Sequence, residues 1–91
     1  MEIILLEQAQ KDLEYWKKSG DKAIMKRIST LIKDICEHPF TGIGKPEPLK
    51  YDLSGKWSRR INSVHRIIYS VNDDTVIVYV FSMRYHYGKQ A

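Results

Sequence analysis

The chain predicts an α+β domain, two N-terminal helices packed on a twisted antiparallel sheet. Three observations carry this reading. Residues 7–37 repeat their apolar side chains at helical spacing. Residues 57–84 gather β-branched and aromatic residues into short runs separated by turns, and a glycine- and proline-rich segment divides the two halves. A length of 91 residues leaves room for one domain, 1–91, with one modest core.

Residues 2–6 form a compact apolar run suited to a short covered strand. From Glu7 the period changes. Ala9, Leu13 and Trp16 share a helical face, with Lys11, Asp12, Glu14, Lys17 and Lys18 largely outside it. Gly20 suits the left-handed residue that closes a helix. Asp21 suits the N-cap of the next helix. There Ile24, Ile28, Leu31, Ile32 and Ile35 give the strongest periodic signal in the chain. Pro39 ends it, because the residue before a proline is pushed out of helical geometry. Thr41 to Pro48 contain two glycines and two prolines and read as a loop leading into an edge segment. Three strand candidates follow, Trp57–Asn62, Arg66–Val71 and Thr75–Arg84. Their links, Ser63-Val64-His65 and Asn72-Asp73-Asp74, are short enough for hairpins.

Composition narrows the class. At 43% hydrophobic residues the chain is too apolar to be disordered. One cysteine, Cys36, excludes an internal disulfide framework, fits a reducing compartment and reads as a small buried apolar residue. Met1-Glu2 and four apolar residues lack the charged start and long apolar stretch of a secretory leader. The longest apolar run, Val76–Phe81, is far short of the ~18 residues that read as a membrane span. A cytoplasmic protein with no membrane contact is the expectation. Net charge is +4, and it is uneven. Residues 1–44 hold seven Lys/Arg and seven Asp/Glu, whereas residues 45–91 hold eight and four. The basic half should face an acidic partner, phosphate or an acidic protein segment.

That half also carries the polar words Gly44-Lys45-Pro46-Glu47-Pro48-Leu49-Lys50, Trp57-Ser58-Arg59-Arg60-Ile61, His65-Arg66-Ile67-Ile68-Tyr69 and Arg84-Tyr85-His86-Tyr87. Glu47 lies between two prolines that stiffen its backbone, which suits a general base aimed before substrate arrives. Arg66 alternates with the core-like Ile67, Tyr69 and Val71, so it should project from the opposite, more polar face and grip phosphate with two N–H bonds. His86 is one of few side chains able to give up a proton near neutral pH. Lys50, Lys56, Arg59 and Arg60 add cations. Tyr87 offers a base-stacking surface, and Trp57 either stacks on bases or packs in the core, the core being favoured. Taken singly, each residue reads as ordinary surface; only the combination points to RNA cleavage. No Cys/His pair has metal-ligand spacing, and no glycine-rich phosphate loop follows a strand.

These words, in this order and spacing, resemble the YoeB/Txe-type toxins of the RelE superfamily. The likeness covers nearly the whole chain and includes Tyr15-Trp16 and Pro39-Phe40. It implies a ribosome-dependent endoribonuclease that cuts messenger RNA in the ribosomal A site, using no metal or other cofactor. The family's essential glutamate, arginine and histidine fall on Glu47, Arg66 and His86, and Lys50, Arg60 and Tyr87 match its assisting positions. The implied partners are the ribosome with its message, a YefM-type antitoxin and a second copy of the chain. The chain departs from the pattern in continuing past Tyr87 with Gly88-Lys89-Gln90-Ala91. Two alternatives belong to other classes: a ParE-like toxin that binds gyrase without cleaving, and a non-catalytic RNA-binding module. The trio Glu47, Arg66 and His86 favours the nuclease.

Overall fold

A computed structural model describes residues 1–81. Strand β1 (Glu2–Leu5) leads directly into helix α1 (Glu7–Ser19), and helix α2 (Lys22–Glu37) follows after two residues. A loop then reaches the two-residue strand β2 (Glu47–Pro48), a single 3₁₀ turn at Tyr51–Leu53, and strands β3 (Trp57–Arg60), β4 (Arg66–Asn72) and β5 (Thr75–Val80).

Both helix boundaries follow from local chemistry. Gly20 takes the left-handed conformation, φ 74°, and its N–H donates to the Lys17 carbonyl. The Asp21 carboxylate accepts the Ile24 N–H at 3.1 Å, satisfying one of the orphan donors of the first turn. Ala9 and Trp16 of α1, and Ile24, Ile28, Leu31 and Ile35 of α2, are buried; Leu13 and Ile32 are partly covered beside them. Each fully buried aliphatic side chain contributes about 1.5–3 kcal/mol, so the periodic face decides the helix more than propensity does. Cys36 is half-buried rather than enclosed.

The sheet runs β1-β5-β4-β3-β2. From β2 to β5 every pairing is antiparallel, as the hairpins predict. The sheet as a whole is mixed, because β1 adds alongside β5 in parallel, with Glu2 beside Thr75 and Leu5 beside Val78. Asn72 pairs with Thr75, so the last hairpin turns on Asp73-Asp74 alone, with Asp73 at φ 55°. In the preceding turn the Asn62 side-chain oxygen accepts the N–H groups of Val64 and His65. The His65 ring meets Trp16 edge-on at 4.8 Å.

Both helices cover one face of the sheet, against Ile61, Ile67, Tyr69, Val76, Val78 and Phe81. The other face is not simply wet. Ile68 is 1% exposed and Ser58 is fully buried there, on the side from which Arg66 and Ser70 project. Among the described residues no helix is long and apolar enough to cross a membrane.

Candidate active site

Glu47 stands in β2, an edge strand of two residues. Its position suits the two flanking prolines, since a proline on an edge interrupts no ladder beyond it. Glu47 is exposed and pairs with Ser58; Ser58 in turn pairs with Ile68. Antiparallel partners point to the same side of a sheet, so these three form a row across the face away from the helices. Arg66 lies two residues from Ile68 on that face and is the direct partner of Arg60. The backbones carrying Glu47 and Arg66 are therefore two strand spacings apart, about 10 Å, and two residues apart along the strands, about 7 Å. A glutamate and an arginine can reach toward one phosphodiester across such a gap.

Arg60 is exposed and Arg66 half-buried. Like charges placed directly opposite repel, so an anion between them would lower the energy of the pair. Lys50 is exposed just before the 3₁₀ turn. At the centre of the row the buried Ser58 Oγ has no hydrogen-bond partner among the described residues. His86 and Tyr87, with Arg84 and Tyr85, lie outside the described residues.

Two of the basic residues grouped above as RNA-binding cations have other roles. Arg59 is fully buried on the helix face. Its Nε donates to the Tyr69 hydroxyl at 3.2 Å, and Nη1 donates to Asp34 at 2.5 Å and to the Ile43 carbonyl at 3.1 Å. Nη2 donates to the carbonyls of His38 and of Thr41, the latter at 2.8 Å. Tyr69 passes the network on to the Pro39 carbonyl at 2.7 Å. Arg59 therefore pins the chain leaving α2 and holds no phosphate. The hydrogen bond from Arg59 keeps the Asp34 carboxyl below its ordinary value of 3.8, and burial pushes the Tyr69 hydroxyl above 10.0. Gly42 completes this corner at φ 120°; a Cβ there would lie 2.0 Å from the Asp34 carboxylate oxygen. The second cation, Lys56, lies 4.7 Å from the centre of the Tyr79 ring. Trp57 packs partly covered against the core, 5.0 Å from Phe40, as the core reading expects.

Among the described residues one group has the geometry to offer three metal ligands. Asp34 and Glu37 on the last turn of α2, with His38 just after it, bring one ligand atom each within 4.8 Å of the others. Their i, i+3, i+4 spacing is the only sign of the group in the sequence. Asp34 is already engaged by Arg59 and by the Ile43 N–H, so the group has a structural use without any ion.

Residues 5–87 match the family model for the YoeB-like toxin of the bacterial type II toxin-antitoxin system. The chain belongs to this family. Toxin YoeB of Escherichia coli K12 is 49% identical over 87 residues, spanning 96% of this chain and all of that one. Among solved structures, a YoeB/ParE toxin from Agrobacterium tumefaciens superposes with a TM-score of 0.88 at 36% identity, covering 93% of this chain and 100% of the other. The Staphylococcus aureus YoeB protein, 40% identical, has been solved as a dimer at TM-score 0.85 and in a heterotetrameric YoeB-YefM complex at 0.84. Each comparison covers 96% of this chain and 98% of that one. Both helices and strands β2 to β5 fall inside the matched span, which begins at the last residue of β1.

Proposed function

We propose that this YoeB-family toxin is an endoribonuclease of the cytoplasm that cuts messenger RNA in the ribosomal A site and so stops translation. The observation that supports the reading is the common sheet face of Glu47, Arg60 and Arg66. Glu47 takes the proton from a ribose 2′-hydroxyl, and the oxygen attacks the neighbouring phosphorus. Arg66 neutralises the charge that builds on the non-bridging oxygens, where a cation fixed in advance helps most. His86 gives its proton to the departing 5′-oxygen. The products are a 2′,3′-cyclic phosphate and a 5′-hydroxyl, and every proton and electron pair is accounted for by the three side chains. Lys50 and Arg60 hold the flanking backbone, and Tyr87 stacks on a base.

Single-turnover cleavage on programmed ribosomes, with end-group analysis of the fragments, tests this. General acid–base groups contribute roughly 10²- to 10⁴-fold, so Glu47→Gln and His86→Ala should each slow cleavage by a factor in that range. A message with a 2′-deoxy residue at the cut should resist, because the nucleophile is gone. Normal rates in either variant sink its assigned role. Inhibition of gyrase by a chain that leaves ribosome-bound message intact would favour the binding toxin instead.

The same basic half docks the acidic segment of a YefM-type antitoxin, and the toxin pairs with a second copy. The Staphylococcus aureus relative, solved both as a dimer and with YefM, supports this assembly.

A further inference from the structure

The basic surface extends beyond Arg66 and Arg60. Past the end of β2, where the Gly44 carbonyl takes over and accepts the Arg60 N–H at 2.7 Å, a cleft of about 390 Å³ opens. Its walls come from three places: Arg27 of α2, Lys45 of the loop, and Arg60 with Asn62 and Ser63 at the β3–β4 turn. Among the described residues three cations line it and no carboxylate does. Arg27 is anchored by its Nε, which donates to the Ile61 carbonyl at 3.3 Å, so its terminal nitrogens are left to the cleft. The Asn62 side-chain oxygen is used twice within its own turn, which leaves the amide NH₂ as the group Asn62 can offer. Lys45 holds φ 52°, a conformation that costs a non-glycine residue energy, at the mouth of this basic recess. Every described residue that lines the cleft and can hydrogen-bond through its side chain offers a donor.

We propose that this cleft is a second phosphate subsite, which takes the phosphodiester next to the one held by Arg66, with Arg60 shared between the two. The inference rests on the nuclease reading for the identity of the strand. It adds Arg27 and Lys45, neither of which the site above contains. An open cleft ringed by guanidinium and ammonium groups suits a singly charged diester, which carries no proton to lose and accepts hydrogen bonds from several directions.

Salt dependence separates a phosphate contact from a general loss of affinity. For single strands, the logarithm of the binding constant falls against the logarithm of salt with a slope of about −0.7 per phosphate neutralised. Binding of a short oligouridylate is measured by fluorescence anisotropy over a salt series, in a Glu47→Gln background that cannot cut. Adding Arg27→Gln and Lys45→Gln together should flatten the slope by about 0.7, one phosphate. Lys45→Gln alone, on an exposed side chain, should weaken binding in the same direction with the melting temperature unchanged. An unchanged slope, or no binding of the oligonucleotide at low salt, overturns the subsite. So does a loss seen only with whole ribosomes, which would assign the cleft to ribosomal RNA. Cleavage by the unmodified chain is scored separately. A chain that fails to cut but shows the flattened slope would end the nuclease reading and keep the subsite as an RNA contact.

Discussion

Replacing Arg59 by alanine would strip the carbonyls of Thr41 and Ile43 of their guanidinium donor, leave the His38 carbonyl with only the Thr41 N–H, and leave Asp34 without its cation. Breaking a buried pair by deleting one partner costs on the order of 3–5 kcal/mol. Small domains have roughly 5–15 kcal/mol in all, so urea denaturation should show a variant near the edge of folding. Arg59→Lys should rescue little, because one ammonium cannot replace a fork serving acceptors on both sides. The same pair shapes the acid limb. The Asp34 carboxyl is held below 3.8 when folded, so its stabilisation is complete above that value and drains away as pH falls through the lowered one. Arg59→Ala should flatten the loss of stability below pH 3.8, measured as urea midpoints against pH. The sequence did carry a sign of this role. In a strand, Arg59 shares parity with Trp57 and Ile61, both read as core side, while Arg60 takes the other face. Composition hid it, because two adjacent arginines in a basic half look alike until the alternation is applied.

Elements were legible to the degree that their signals are local. The apolar face of α2, the Asp21 cap and the Gly20 stop are all written within a few residues, and each stands where its chemistry places it. Pairing partners are another matter. That β1 joins β5 in parallel depends on a contact no short window contains. One such distant link ties α1 to the last described strand. The Asp12 carboxylate accepts the N–H of Phe81 at 3.1 Å, and Gln8 holds its other oxygen at 2.9 Å. Phe81 is fully buried, so Asp12→Ala should leave its amide without a protein acceptor, at a cost of about 1–3 kcal/mol. Native-state hydrogen exchange should show the Phe81 amide opening faster, while amides in the middle of α2 keep their relative protection. Of the candidate site, Arg60 and Arg66 share a face by alternation across the 63–65 hairpin, whereas Glu47 reads only as part of a loop leading into an edge, and its pairing with Ser58 puts it on that face. What no pattern supplied was the Ser58 hydroxyl between them, since a serine in a strand has no signature.

At the scale of the molecule, the charge imbalance between the halves sets how it meets partners. The basic half carries eight Lys/Arg against four Asp/Glu, and at least Arg59 of these is neutralised internally. Exposed cations act over a Debye length of about 8 Å at physiological ionic strength. Association with an acidic antitoxin segment should therefore slow as salt rises, mostly through the on-rate, while dissociation changes less. Stopped-flow mixing at two salt concentrations measures both. Rates that ignore salt would point to an apolar groove as the steering surface. The parallel seam between β1 and β5 bears on biosynthesis. Glu2 finds its neighbour only at Thr75, so the first strand to leave a translating ribosome waits for almost the last before the sheet can close. A chain wired this way leaves β1 without its sheet neighbour until residues 75–78 have been made.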